Sequence, residues 1–342
     1  MTRYFMFFFI LFFFNSAHAG DCPQLSKNSA LTLLVNDKDS QLPGAPGQGT
    51  VVISKSLELL GYKTKESQEK FVQLVKSDMK MSADPEVINF CLYSSRLPER
   101  NWMVLKAYDE NVYQYYYYLF QKKGDVCSLT VKTPIDVYSK YCESFPEYYS
   151  LDGNDYFSLS GSGGGTGVLI TTAFVYQIKN GSTKQVLSYA LVGDNYNEYE
   201  LDYESGPIMF LSGVFKKTIQ IPFRIRYGIP EKLDANSKTI RGFKLFDKTF
   251  LLNYDWSLFK QVYVLNVNSS KINANIENEE GLYSLSSDTD FLKIYYSELQ
   301  AISQNGGPEQ RTWLRNFLKG DDLKAMEDSA EMKHLKELLG PE

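Results

Sequence analysis

Histidine is almost absent from this chain: the sequence holds two, His18 and His334, and none between them. That absence excludes Ser-His-Asp and Cys-His catalysis, histidine-ligated zinc and histidine acid–base chemistry from the body of the fold. His334 itself stands in a charged stretch, "SAEMKHLKELLG", that reads as a solvated helix. Basic charge is also scarce, with 36 Lys and Arg against 41 Asp and Glu and a net charge of −5. Nucleic acid demands basic stripes, so no nucleic-acid partner is expected. Long apolar runs are missing beyond residues 4–14, "YFMFFFILFFF", and a bilayer-spanning helix needs about 20 residues. No integral membrane span is expected.

Cofactor and metal signatures are missing too. "DGND" (152–155) and "SSDTD" (286–290) lack the spacing of an EF-hand loop and read as turn formers. Two S-x-x-K matches, Ser67/Lys70 and Ser77/Lys80, stand without the S-D-N and K-T-G elements that serine–lysine acyl enzymes carry. They read as chance matches in a lysine-rich helix. No cofactor and no metal are expected.

The apolar run follows Arg3 and leads into "NSAHAG", where Ala17 and Ala19 supply the small residues of a cleavage site. This pattern predicts a signal peptide cut after Ala19 and export to the periplasm or beyond. Asp21 before Cys22 departs from a lipoprotein signal. Loss of the segment removes Arg3 and no acid, which leaves the chain slightly more acidic. Much of the phenylalanine goes with it, so the 25 tyrosines become the distinctive aromatic content of the folded part.

Four cysteines, Cys22, Cys91, Cys127 and Cys142, predict disulfides in an exported chain. The spacing excludes none of the three possible connectivities. Cys127–Cys142 is expected across a short hairpin, with Cys22–Cys91 by remainder. Asn180 and Asn268 head N-x-[ST] sequons, which matter only in a eukaryotic secretory pathway.

The expected fold class is α+β: a large antiparallel β body, sandwich or barrel-like, with a small helical N-terminal region and a helical C-terminal tail. The boundaries read as 1–19 signal, 20–100 helical region, 101–285 β domain and 286–342 helices. Helical periods run through "VVISKSLELLGY" and "ESQEKFVQLVKSDM", and Asp84 with Pro85 opens "DPEVINFCLYSS" as a third helix. "LELLGY" (57–62) followed by "QEKFVQLVK" resembles the three-helix peptidoglycan-binding repeat. The resemblance covers residues 50–95 only, and the D-G-x-F-G turn of that repeat is replaced by "KTKESQ".

Beyond Trp102 the signals are those of strands. Asn180–Gly181 is a hairpin turn signature. Ile219, Ile221, Phe223, Ile225 and Tyr227 alternate with polar residues, and Pro222 among them predicts an edge strand or a bulge. The tail returns to helix over "DTDFLKIYYSELQAI", reopens at Pro308 and stops at Gly340.

Three constellations are candidates for binding. In "NEYELDYES", Glu198, Glu200, Asp202 and Glu204 share one strand face, above Tyr199, Leu201 and Tyr203. That face suits a cation, a basic partner or a sugar; its competing reading is a solvated face paired with Arg224 and Arg226. Glycosidases flank a bond with two carboxyls about 5–9 Å apart, which neighbours pointing the same way do not do. "YYYY" (115–118) offers Tyr115 and Tyr117 as a stacking platform, or else lies in a sheet covered on both sides. "SLSGSGGGTG" (158–167) carries Gly163, Gly164 and Gly165. It fits neither G-x-G-x-x-G nor a P-loop, so it reads as a mobile bend between strands, with a rim beside a binding surface as the alternative.

The expected function is non-enzymatic binding at the cell envelope or outside it, with a glycan, cell-wall polymer or protein as ligand. A carboxylate-dependent carbohydrate hydrolase and a structural envelope component are the alternatives.

Overall fold

The computed structural model describes residues 30–37, 54–79, 88–96, 101–109, 113–131, 133–151, 153–165, 168–195, 200–212, 217–233, 239–240, 242–272, 276, 279–284 and 287–341. The expected signal peptide, Cys22 and Glu198 lie outside them.

Two antiparallel sheets, neither closed into a barrel, carry the fold. The first contains β1 (Leu31–Asn36), β2 (Asn89–Ser95), β3 (Trp102–Asp109), β4 (Gln114–Lys123) and β5 (Val126–Leu129), in that order. β6 (Ile135–Tyr138) shares the outer edge of β4 with β5: β6 takes Gln114–Tyr117 and β5 takes Phe120–Lys123. The expected helix over "DPEVINFCLYSS" is therefore corrected, because β2 occupies Asn89–Ser95. Phe90 and Leu92 fill one core while Cys91 and Tyr93 fill another. A strand buried on both faces is apolar throughout, and periodicity alone does not separate it from a buried helix.

α1 (Lys55–Leu59) and α2 (Lys65–Met79) cover one face of this sheet. Phe71, Val72, Val75 and Met79 of α2 pack on Leu105, Tyr116, Tyr118 and Phe120. Gln68 fixes the corner between the helices, accepting from Ser54 N at 3.1 Å and donating to Tyr62 O at 2.9 Å. The second sheet covers the opposite face, so β4 is enclosed on both sides. Tyr118 donates to Asp78 Oδ2 at 3.0 Å and Tyr117 to Ser144 O at 2.8 Å.

The second sheet begins with β7 (Glu147–Leu151), β8 (Asn154–Gly165), β9 (Val168–Lys179), β10 (Ser182–Asn195), β11 (Glu200–Ser205), β12 (Met209–Ser212) and β13 (Lys217–Ile229). A two-residue ribbon, β14 (Lys232–Leu233) with β15 (Thr239–Ile240), precedes β16 (Phe243–Ser257) and β17 (Val262–Leu265). The order is β17-β16-β13-β11-β10-β9-β8-β7, with β12 also on β13. Asn180 and Gly181 have φ of 52° and 74° and link β9 to β10 directly, as their signature predicts.

Pro222 sits in an interior strand rather than on an edge. β13 pairs with β16 on one side and passes from β12 to β11 on the other, and Pro222 falls between the last β12 pair and the first β11 pair. Its carbonyl accepts from Gly206 N at 2.6 Å on that side, so the missing N–H faces the gap where no ladder bond is needed.

The alternating row of β13 is buried under the C-terminal helices. α3 (Val267–Ser270) precedes α4 (Asp288–Ile294), α5 (Tyr296–Asn305), α6 (Pro308–Phe317) and α7 (Ala330–Leu339). Tyr227 meets Phe291 and Tyr295 at ring distances of 5.2 and 5.3 Å. The single helix expected over "DTDFLKIYYSELQAI" breaks at Tyr295, whose buried ring and hydroxyl bind inside the core. A 3-10 turn over Asp321–Met326 carries Asp321 and Asp322 and precedes α7, which Ser329 caps.

Neither expected disulfide forms. Cys91 is a buried thiol donating to Asn36 Oδ1, and Cys127 is a thiol facing Leu59 O, whereas Cys142 is disulfide-bonded. Cys127 and Cys142 are not opposed across a hairpin. β5 carries Cys127 to the far end of β4, and the turn after β6 carries Cys142 onto the second sheet beside Thr171.

Candidate functional site

The described part of the glycine cluster is strand, while Thr166 and Gly167, which join it to β9, lie outside the described residues. Gly161, Gly163, Gly164 and Gly165 belong to β8 and pair with Thr172, Ile170, Leu169 and Val168 of β9. What these glycines do is remove side chains from a stretch that the first sheet crosses. A Cβ on Gly161 would stand 2.6 Å from Tyr138 O and 2.9 Å from Val137 Cγ1, so only glycine admits β6 at this distance. At Gly163 a Cβ would meet nothing within 4 Å, and the missing side chain leaves a trough.

That trough is the floor of a groove of about 490 Å³. Asp136, Val137 and Tyr138 of β6 form one wall, and Ile170, Thr172, Phe174 and Tyr176 of β9 form the other. Tyr138 is 50% exposed and Ile170 40%, values that leave apolar surface open to a ligand. Exposed tyrosines continue along the rim: Tyr141 donates to Gly164 O at 3.1 Å, and Lys140 lies 5.1 Å above the Tyr141 ring. Hydrogen bonding to Tyr141 raises the Lys140 pKa above its ordinary value. Burial, with Asp136 nearby, raises the Tyr176 phenol, so its hydroxyl stays a donor at neutral pH.

The walls are held in place by buried polar bonds. Ser162 Oγ accepts from Tyr141 N at 2.9 Å and Cys142 N at 2.7 Å, and Ser139 Oγ lies 2.9 Å from it. Lys140 N donates to Ser162 O at 2.9 Å. The turn after β6 is thus fastened to β8, with the Cys142 disulfide beside it. Deeper in, the buried Lys106 ammonium pairs with Glu143 and lies 4.9, 5.5 and 5.3 Å from the Tyr108, Tyr115 and Phe145 rings. Removal of a buried charge's partner is costly, so this pair ties the 143–145 turn to β3. Among the described residues Asp136 is the one carboxylate in the groove lining, and Gln114 Nε2 donates to its Oδ2 at 3.2 Å.

No family model, curated protein or solved structure matches this chain.

The acidic strand is a different kind of place. Asp202 and Glu204 of β11 stand directly across from Arg226 and Arg224 of β13. Arg226 Nε donates to Asp202. Arg224 grips Asp247 of β16 with Nε and Nη2 at 2.8 and 2.7 Å, and Nη1 reaches Glu204 Oε1 at 3.3 Å. Lys244 adds a contact to Asp247 at 3.0 Å. The Arg224 guanidinium, followed by Lys244, holds the Asp247 carboxyl down to about 2, and Asp247 in turn raises Arg224. Glu200 sits across from Gly228 in the same pairing. Asp202 and Glu204 are therefore engaged by arginines, the competing reading of the sequence, and the Leu201–Tyr203 row beneath is core.

Tyr117 is 1% exposed and cannot serve as a stacking platform, which corrects that candidate. Tyr115 stacks on Tyr108 at 5.5 Å. Gly163 and Gly164 do line the groove. Sequence reasoning missed Asp136, Tyr138, Phe174 and Tyr176. Their one local signal is the alternation in "IDVY" and "FVYQI", which marks a strand but not what faces it.

Glu279 was missed as well. It borders a second cleft of about 300 Å³, accepts from Tyr254 at 3.0 Å and Ala190 N at 3.3 Å, and burial raises its pKa. Those two donors make it a brace between β10, β16 and the 279–282 turn.

Proposed function

We propose that this is an exported, non-enzymatic binding protein whose groove between β6 and β8–β9 takes a glycan chain. The observation that carries the reading is the pairing of open aromatic walls with a side-chain-free floor. Sugar rings stack on exposed aromatic faces, and a glycine trough lets a chain lie along the backbone. The Asp136–Gln114 pair supplies the acceptor and donor that sugar hydroxyls require. A hydrolase needs two carboxyls flanking the bond, and among the described residues the groove lining carries one. The disulfide at Cys142 supports an oxidising, extracytoplasmic location.

The test is retention of purified protein on insoluble polysaccharides and on peptidoglycan, with reducing-sugar release followed in the same samples. The expected result is retention that Tyr138→Ala weakens about tenfold, without sugar release. Sugar release would replace the binding reading by the hydrolase. Retention on no glycan, with stable co-purification of one envelope protein, would replace it by the structural component.

A further inference from the structure

The turn between β16 and β17 carries Leu258 and Phe259, the two most exposed of the large exposed hydrophobic residues among those described, at 85% and 97%. They are adjacent, at the tip of a hairpin, and belong to none of the hydrophobic cores. The tip is built rather than loose. Gln261 N donates to Ser257 O at 2.7 Å, Lys260 N donates to Ser257 Oγ at 3.2 Å, and Gln261 holds a left-handed φ of 53°. Such a turn fixes the backbone that presents both side chains, which lowers the ordering cost of an encounter.

Two cations flank the tip. Lys260 follows Phe259 directly, and Lys184 of β10 reaches its carbonyl at 3.5 Å. Trp256 and Tyr263 pack edge to face at 5.0 Å one step behind. Trp256 and Tyr263 belong to the core that anchors the hairpin, so the tip itself carries the gradient: an apolar point followed by a basic collar, the order of polarity met on passing from acyl chains to headgroups.

We infer that this hairpin tip inserts into the surface of a bilayer containing anionic lipid, with Leu258 and Phe259 among the acyl chains and Lys184 and Lys260 at the headgroups. Size selects a bilayer over a protein partner. Two side chains supply on the order of 300 Å², against about 1,200–2,000 Å² in a specific protein interface. A membrane receives so small an apolar point, and charge attraction adds to it. This inference is independent of the groove, which lies on β6, β8 and β9.

The experiment is flotation of the purified protein with phosphatidylcholine vesicles, with and without a quarter phosphatidylglycerol. All variants share the wild-type N-terminus. Wild type is expected to float with the anionic vesicles. Leu258→Ser with Phe259→Ser should lower partitioning at least about tenfold. Lys184→Glu with Lys260→Glu should abolish the preference for anionic vesicles. Val126→Ser, at the β4–β5 hairpin, should change nothing. Brominated acyl chains should quench wild-type tryptophan emission more than that of Trp256→Phe, a readout that needs no tip variant to fold. The inference is overturned by equal flotation of wild type and the tip variant, by failure of wild type to float, or by equal quenching. It is also overturned if the tip variant instead loses a concentration-dependent dimer, which would make the occupant a second copy.

Discussion

The ion-pair ladder on β11, β13 and β16 and the groove beside β8 both gather polar or aromatic residues on a sheet face, yet they end in opposite states. In the ladder Asp202, Glu204 and Asp247 each meet a guanidinium from a neighbouring strand, so their charge is spent inside the protein. In the groove the glycine end of β8 meets the edge of the first sheet, and aromatic surface is left facing water. A row of charges in a sequence therefore says little about binding until the neighbouring strand is known. A row of glycines says more than flexibility once another sheet crosses it.

The largest expected effect breaks the groove. Gly161→Ala forces a Cβ against the Tyr138 carbonyl and should cost about 2–3 kcal/mol in urea unfolding. Gly163→Ala meets no atom and should be neutral or slightly stabilising, which separates close approach from chain entropy. Equal losses for the two would mean that β6 does not press on β8.

Next comes the ladder. Arg224→Ala strands Glu204 and Asp247, both largely buried, and should cost about 2 kcal/mol. Acid titration of stability sharpens the point. The Asp247 carboxyl is depressed in the folded state from 3.8 to about 2, so its contribution is present above pH 3.8 and disappears as pH falls through about 2. Wild type should lose stability across that window more steeply than Arg224→Ala, as read by chemical unfolding at stepped pH.

The functional contrast follows. Tyr138→Ala should reduce glycan retention about tenfold while shifting stability by less than about 0.5 kcal/mol, because its ring is half exposed. Glu204→Gln should leave retention untouched. The reverse result would move the binding surface to the acidic strand.

The smallest effect is chemical. Without reductant, unfolded protein should show two thiols, and native protein should show Cys127 alone, reacting slowly because burial raises its pKa. Two native-state reactions of equal rate would contradict the burial of Cys91.

Much of the architecture was legible locally. The alternation of β13, the Asn180–Gly181 turn, Pro308 at the start of α6 and the glycine stop at Gly340 each need only neighbours within a few residues. "INFCLYSS" was not legible, because a strand buried on both faces loses its alternation. Pro222 misled because its tolerance depends on which strands leave and join beside it.

From the sequence alone came the exclusion of histidine chemistry, the β-rich class, and the pairing alternatives for the acidic strand. Backbone geometry imposes period 2 or 3.6 on any segment that must bury one face, so those features are written residue by residue. Only the tertiary structure decided that β6 crosses β8, that Cys142 rather than Cys91 or Cys127 is oxidised, and that Leu258 and Phe259 stay outside every core. Each depends on which distant surfaces stack. Stacking is set by the total area two sheets bury, a quantity no short stretch of chain contains.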